Sequence, residues 1–116
     1  MAEQDWTSQM RRGAIELCVL HLLKSAPNYG YAIVEKLQAF GPVAAGENTI
    51  YPLLRRLRAE GALEAFAVES GAGPPRQYLK LSAAGVARLE ALRRDWSDLS
   101  DAVCRCLNQE SANAPE

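Results

Sequence analysis

The sequence predicts a mainly α-helical protein with one small β-hairpin, and three observations support this fold class. Apolar residues recur at intervals of three and four in four separate segments, which is the period of helices with one buried face. Two short β-leaning runs, between the third and fourth of these segments, flank the turn-forming sequence ESGAGPP. Hydrophobic residues make up 48% of the 116 residues and charged residues 23%, as is typical of one globular domain.

Charge and hydropathy exclude several classes of protein. The net charge is −1 and the isoelectric point is about 5.9, so any surface that attracts a polyanion must be local. Residues 47–81 contain five Lys and Arg against four Asp and Glu, whereas residues 82–116 contain four against six. No apolar run has the length needed to span a bilayer, and the N-terminus lacks the apolar segment of a secretory signal. We therefore expect a cytoplasmic protein with no membrane partner.

The residue types that most often perform chemistry do not form a site in this sequence. Cys18, Cys104 and Cys106 lack the spacing of metal ligands and of a disulfide framework, so we expect unreactive thiols or, as the alternative, a redox sensor. His21 is the single histidine, and no paired carboxylates, phosphate-binding glycine loop or activated nucleophile accompany it. The sequence thus predicts no catalytic residue, no metal and no cofactor.

The first two helical segments have recognisable start and stop residues. Ser8 is the predicted N-cap of a first helix that extends over residues 8–25 and is apolar on most sides. A second helix is predicted over residues 31–40, before the helix-ending pair Gly-Pro. Its inner face should consist of Ala32, Ile33, Leu37 and Phe40. Residues 1–8 and 109–116 should be loose ends.

The third helical segment has an apolar side and a cationic side. Asn48 is the predicted N-cap, Pro52 falls near the first turn, where its missing N–H costs least, and Gly61 should end the helix. The buried side should consist of Ile50, Leu53, Leu54 and Leu57. The side facing away from this stripe contains Thr49, Tyr51, Arg55, Arg56 and Arg58.

A β-hairpin and a long last helix complete the chain. The strands are predicted at about 62–68 and 76–81, with Arg76 and Lys80 on the returning strand, and Ser82 should cap the last helix. Apolar residues of this helix are spaced three and four apart and form a seam of Leu89, Leu92, Trp96, Leu99 and Val103. A seam this narrow predicts contact with a second copy about a two-fold axis.

The order helix, helix, helix, hairpin is that of a winged helix-turn-helix domain, in which the third helix enters the major groove of DNA. We assign this DNA-binding domain to residues 9–81 and a C-terminal dimerisation helix to residues 82–108. The alternative is that the third helix is an ordinary amphipathic helix with a solvated charged side. The protein would then be a winged-helix module for protein–protein contacts without DNA binding.

Three segments resemble the PadR family of transcriptional regulators: RRGAIELCVLHLLKSAPNYGYAIVEKL, ENTIYPLLRRLRAEGALEAF and GPPRQYLKLSAAGVARLEAL. The family shows a proline before Tyr-Gly-Tyr, a Gly-Thr-(Leu/Ile)-Tyr-Pro start of the recognition helix, a Gly-Pro-Pro-Arg wing and a Tyr-x-Leu-Thr-x-x-Gly entry to the last helix. The match covers about residues 10–107 and is similar to the smaller branch with one dimerisation helix. Asn48 replaces the family's Gly, Ala32 its acidic residue and Ser82 its Thr, which leaves the bound DNA sequence open.

The resemblance implies a homodimeric DNA-binding regulator, usually a repressor, on a pseudo-palindromic operator of double-stranded DNA. The positions that match the family's DNA-contacting elements are Asn48, Thr49, Tyr51, Arg55, Arg56 and Arg76, with Tyr31 as a further candidate. The alternatives are that Tyr31 and Tyr51 pack inside the protein and that Arg58 is only solvated.

Trp96 lies in the middle of the predicted dimer seam. Two-fold symmetry would place a second Trp96 nearby, and paired indoles stack on each other or accept a flat aromatic guest. Some PadR-like regulators bind planar aromatic compounds at the dimer interface, so the resemblance implies an effector of this class at Trp96. The alternative is that Trp96 only fills the interface.

Overall fold

The helices and strands follow one another in the predicted order. The computed structural model describes residues 2–112 and gives side chains for residues 8–109. The elements are α1 (Ala2–Ser25), α2 (Gly30–Leu37), a 3-10 segment (Gln38–Val43), α3 (Glu47–Ala59), β1 (Leu63–Val68), β2 (Arg76–Leu81) and α4 (Ala83–Ala112). β1 and β2 pair as an antiparallel hairpin. The predicted fold class, mainly helical with one small hairpin, is confirmed.

The core lies where α1, α2 and α3 meet the hairpin and the first turns of α4. The largest side chains with essentially no solvent exposure come from all four helices: Val19, Leu20, Ile33, Leu37, Ile50, Leu57 and Leu89. The stripe predicted for the third helix is confirmed, because Ile50, Leu54 and Leu57 are buried and Leu53 is partly buried. Burial of one such side chain contributes about 1.5–3 kcal/mol, so this stripe decides which side of α3 faces outward.

The first helix begins earlier than predicted. α1 starts at Ala2, and Ser8 lies exposed inside it, so the prediction of Ser8 as N-cap is wrong. The reason is that Ala, Glu and Gln near the start are strong helix formers and no glycine or proline precedes Ser8. Residues 2–7 and 109–112 are helical rather than loose, while residues 1 and 113–116 lie outside the described part of the chain.

The second helix is shorter than predicted. α2 ends at Leu37, and the chain then tightens into the 3-10 segment, in which Gly41 has a φ of 47°. This change of direction moves Phe40 away from the inner face, and its side chain is 58% exposed. The prediction that Phe40 belongs to that face is therefore wrong, whereas Ile33 and Leu37 are buried as predicted.

The two ends of α3 are formed by glycines. Gly46 is the N-cap, since its carbonyl accepts hydrogen bonds from Thr49 and Ile50 at 3.1 and 3.0 Å. Asn48 therefore lies in the first turn, and its predicted role as N-cap is wrong. At the other end, Gly61 has a φ of 85° and donates to the Arg58 carbonyl, and the next N–H donates to the Leu57 carbonyl. These two bonds form a Schellman motif, which confirms the predicted helix end.

The hairpin is joined to the helical part by a short backbone bridge. Strand pairing runs from Leu63 with Leu81 to Val68 with Arg76. Asn28, in the turn between α1 and α2, exchanges two backbone hydrogen bonds with Leu79 of β2, at 3.0 and 2.8 Å. The bridge places the start of α2 beside the strand that carries Arg76.

Only the first part of α4 packs on the rest of the chain. Ser82 caps it as predicted: its Oγ accepts a hydrogen bond from the Gly85 N–H at 3.0 Å and donates one to the Gly61 carbonyl at 2.6 Å. Leu89 is fully buried in the core of the single chain, so its side chain is not available to the predicted dimer seam. Farther along, Trp96, Leu99, Val103 and Leu107 are 50%, 60%, 48% and 59% exposed.

None of the described helices combines the length and hydropathy required to cross a membrane.

Candidate nucleic-acid interface

A concave cleft of about 780 Å³ lies between the start of α2, the outer side of α3 and β2. Aromatic and cationic side chains dominate it. Its polar lining consists of Tyr29, Tyr31, Tyr51, Arg55, Arg58, Arg76, Gln77 and Glu35. Three guanidinium groups against one carboxylate make this surface locally cationic on a chain whose net charge is −1.

Helical spacing brings three of these side chains into one line. Tyr51, Arg55 and Arg58 follow at i, i+4 and i+7 on α3, and residues at such intervals lie on the same face of a helix. The buried stripe that includes Leu54 and Leu57 holds the other side of α3 against the core. Tyr51 packs closely on Gly30, where a Cβ atom would collide with the phenol ring. Gly30 thus allows α2 to start directly against α3.

Arg76 reaches the cleft from the hairpin. Its guanidinium carbon lies 4.4 Å from the centroid of the Tyr29 ring, which is a cation–π contact. Tyr29 in turn lies 5.4 Å from the ring of Tyr78, centroid to centroid, and Tyr78 lies 5.9 Å from Phe66. Lys80 lies 6.0 Å from the Phe66 centroid, at the far end of this row. Aromatic rings therefore connect the hairpin to the start of α2.

Arg56 does not line the cleft. Its Nη2 donates to Glu16 Oε1 at 2.7 Å, and its Nη1 donates to Glu60 Oε1 at 3.2 Å. Arg88 of α4 contacts the same two carboxylates, with Nε 3.2 Å from Glu16 Oε2 and Nη1 2.8 Å from Glu60 Oε1. The four side chains form a closed ring of alternating charge that joins α1, α3 and α4. This guanidinium faces the protein's own carboxylates rather than the cleft, and the sequence-based assignment of Arg56 to the DNA contacts stays a prediction.

The ion-pair ring changes the acidity of its members. The hydrogen bond from Arg88, and after it the one from Arg56, holds the pKa of Glu60 below its ordinary value. The hydrogen bond to Glu16 raises the pKa of Arg56 further above neutrality, so its charge is permanent. Both groups are therefore ionised throughout the physiological range.

The remaining predicted contact residues are accessible. Asn48 and Thr49 are exposed in the first turn of α3, outside the lining of the cleft. Tyr31 is 49% exposed and lines the cleft, so it does not pack in the core. Tyr51 is partly buried, with its ring both packed on α2 and facing the cleft.

Four of the polar residues that line the cleft were not predicted as site residues: Tyr29, Glu35, Arg58 and Gln77. The signal for Arg58 was present in the i, i+4, i+7 spacing from Tyr51. Tyr29 had no such signal, because its place in the cleft depends on the bridge between Asn28 and Leu79.

A second concavity, of about 530 Å³, lies between α1, the 3-10 segment and α4. We call it the apolar groove; its lining includes Leu17, Cys18, Leu22, Phe40 and Trp96. At its edge, Arg93 Nη1 donates to His21 Nδ1 at 3.3 Å. Burial raises the pKa of the Cys18 thiol, which makes that thiol less reactive. Within the described residues, no cluster of His, Cys, Asp and Glu has the arrangement of a metal site.

Comparison with known proteins identifies the family. The model of the transcriptional regulator PadR-like family matches residues 19–91. A PadR-like transcription factor from Bacteroides fragilis is 38% identical, with 88% of this chain and 98% of that chain covered and a TM-score of 0.72. A PadR-like transcriptional regulator from Bacillus cereus is 34% identical, with 86% and 97% covered and a TM-score of 0.77. A PadR family transcriptional regulator from Eggerthella lenta is 36% identical, with 92% and 96% covered and a TM-score of 0.76.

The matched region contains α2, α3 and both strands, which are the elements that form the cleft. The proteins matched are transcriptional regulators and not enzymes. Sequence and structure together show that the chain belongs to the PadR-like family of transcriptional regulators.

Proposed function

We propose that this protein is a cytoplasmic, homodimeric DNA-binding repressor that recognises a pseudo-palindromic operator. The observation that carries the proposal is the cationic cleft, in which Tyr51, Arg55 and Arg58 form one outward line on α3 and Arg76 approaches from the hairpin. The opposite side of α3 is buried, so the helix offers these groups outward while it remains anchored in the core.

The chemistry of each group suggests its partner on DNA. Arg55 and Arg58 suit phosphate oxygens or, in bidentate fashion, the O6 and N7 atoms of guanine. Arg76 on the hairpin suits the phosphate backbone beside the major groove. Asn48 and Thr49 are short, exposed polar residues in the first turn of α3, and the N-terminal residues of a recognition helix contact base edges.

The exposed apolar line of α4 supports a second copy of the chain as partner. Trp96, Leu99 and Val103 recur at intervals of three and four along the part of α4 that protrudes from the core. A line of this kind is covered when two helices pack side by side. Leu92, partly buried at its start, continues the line toward the core. We infer a two-fold dimer in which residues 82–108 associate and residues 9–81 bind DNA, with the two α3 helices about 34 Å apart.

The apolar groove beside Trp96 supports a planar aromatic effector. Its volume of about 530 Å³ falls in the range of small-molecule sites, and Trp96 offers an indole face for stacking. A compound bound there would release the operator by favouring a dimer geometry other than the one that fits DNA.

The experiment that tests DNA binding begins with selection of duplexes from a random pool. Fluorescence anisotropy with the selected duplex then compares the wild type with Arg55→Ala, Arg58→Ala and the control Arg94→Ala, which changes an exposed arginine of α4. The cleft variants should bind more weakly, with the salt slope reduced by about 0.9 for each lost phosphate contact. Folded protein that binds no duplex at low salt would refute the proposal and favour a protein–protein module.

Association and effector binding have their own measurements. Sedimentation velocity should show a dimer for the wild type and a monomer for Leu99→Asp, since a carboxylate in the apolar line opposes its burial. A thermal-shift screen of planar aromatic compounds should give stabilisation that Trp96→Ala abolishes. A wild type that remains monomeric would contradict the proposed dimer. A thermal shift that Trp96→Ala leaves unchanged would contradict the proposed effector site.

A further inference from the structure

The turn between α1 and α2 holds Tyr29 in a fixed place. Its neighbour Asn28 is bound to Leu79 of β2 by two backbone hydrogen bonds, and Asn28 Oδ1 accepts the Tyr29 N–H at 2.9 Å. The Tyr29 carbonyl accepts the N–H of Ile33 at 3.2 Å, as the N-cap residue of α2. The backbone of Tyr29 is thus tied on both sides, to the hairpin and to α2.

The ring of Tyr29 is supported as well as its backbone. Tyr78 packs against it at 5.4 Å with an interplanar angle of 57°, and Phe66 lies behind Tyr78. The guanidinium of Arg76 lies over the ring at 4.4 Å. Among the described residues Arg76 has no carboxylate within ion-pair distance, in contrast to Arg56. Arg76 thus lines the cleft without an acidic partner at ion-pair distance.

A stacked guanidinium suits a phosphate contact better than a free one. Stacking uses the face of the guanidinium group and leaves the N–H groups at its edge available as donors in a planar fork. It also restricts a side chain that otherwise loses much rotamer freedom on binding, which lowers the entropic cost of the contact. A lysine at the same place would keep the charge and lose this planar arrangement.

We infer that Tyr29 is a positioning residue for DNA binding: its ring holds Arg76 at the mouth of the cleft, poised for a phosphate of the backbone. Tyr29 acts through Arg76 and needs no contact of its own with DNA. The inference rests on the proposed function, because it specifies how the hairpin arginine of the same cleft is aligned.

A double-mutant cycle on the full chain tests this inference with a duplex selected for the wild type. Tyr29→Leu and Arg76→Lys should each weaken binding about three- to tenfold, the range expected for loss of a partly exposed cation–π contact. Tyr29→Phe keeps the ring and should bind within about twofold of the wild type. In an Arg76→Ala background, Tyr29→Leu should have no further effect, because the residue through which it acts is gone.

A second measurement does not depend on DNA. In NMR spectra, the Hδ protons of Arg76 should show an upfield ring-current shift in the wild type and in Tyr29→Phe. That shift should be lost in Tyr29→Leu, whose amide spectrum otherwise remains that of the folded protein. A wild type without the upfield shift would overturn the inference whether or not Tyr29→Leu folds.

The outcomes separate this inference from the proposed function. Equal weakening by Tyr29→Leu in the wild type and in the Arg76→Ala background would show a merely structural role and overturn the inference, while DNA binding through α3 would stand. Wild-type affinity in Arg76→Lys would overturn it in the same way. A folded wild type that binds no duplex would remove the proposed function and this inference together.

Discussion

Arg55 and Arg56 are neighbours in the sequence, and the structure predicts opposite consequences for their loss. Arg56→Ala removes the hydrogen bonds to Glu16 and Glu60. Because Arg56 is 46% exposed, water screens these pairs, and each contributes about 0.2–1 kcal/mol. Glu16, only 15% exposed, keeps its contact with Arg88, so the cost of about 3–5 kcal/mol for an unpaired buried charge does not apply.

The expected destabilisation by Arg56→Ala is therefore about 0.4–2 kcal/mol, the sum of two screened pairs. This corresponds to a decrease in Tm of about 4–5 °C for each kcal/mol in a domain of this size. Circular dichroism at equal protein concentrations measures it, with Arg55→Ala as the matched control. Arg55 has no ion pair among the described residues, so its removal should change stability by less than about 0.5 kcal/mol.

The same two variants should behave in the opposite way toward DNA. Arg55→Ala should weaken binding of the selected duplex by about 1–3 kcal/mol if Arg55 contacts a base edge. Arg56→Ala, measured well below its Tm, should bind like the wild type. The reasoning is refuted if Arg56→Ala leaves Tm unchanged and weakens DNA binding as much as Arg55→Ala does.

Variants at three further positions test the fold. Gly85→Ala places a Cβ atom against the Ala62 carbonyl and should destabilise the protein by about 1–3 kcal/mol in urea unfolding, and an unchanged midpoint would contradict the close approach. Ser82→Ala removes the N-cap of α4 and should cost about 1 kcal/mol by the same measurement, whereas Ser82→Thr should retain most of it. Glu60 has a lowered pKa in the folded state, so its stabilising effect is present above a pH of about 4.5 and is lost as the pH falls through the folded pKa. Glu60→Gln should flatten the decline of stability in this acidic range, and an unaltered pH profile would argue against the contact with Arg88.

Local sequence signals predicted the elements and several of the helix ends correctly. The stripe of α3, the Gly61 end and the Ser82 cap depend on residues within a few positions of each other. Asn48 and Ser8 were assigned as caps because their residue types favour that role, but each lies inside a helix that continues toward the N-terminus. Propensity alone cannot place such a boundary, because it does not decide whether the preceding residues are helical.

The candidate site was harder to predict because it is assembled from segments far apart in the chain. Periodicity identified the outward side of α3, including Arg55, but did not distinguish Arg56 from Arg58. That distinction depends on Glu16, which lies 40 positions before Arg56. The stacking of Tyr29 with Arg76 likewise depends on the hairpin folding back to the turn before α2. Contacts of this kind follow from tertiary structure and leave no local pattern.

The ion-pair ring ties the last turns of α3 to the rest of the protein through Arg56. The first turn, with Asn48 and Thr49, is exposed. The two ends of one helix therefore differ in how strongly a substitution affects folding. Changes at the last turns alter folding free energy, whereas single changes at positions 48 and 49 alter the chemical groups offered to solvent at little cost to folding. Under the proposed function, new operator preferences can therefore evolve in this protein without compensating changes in its core.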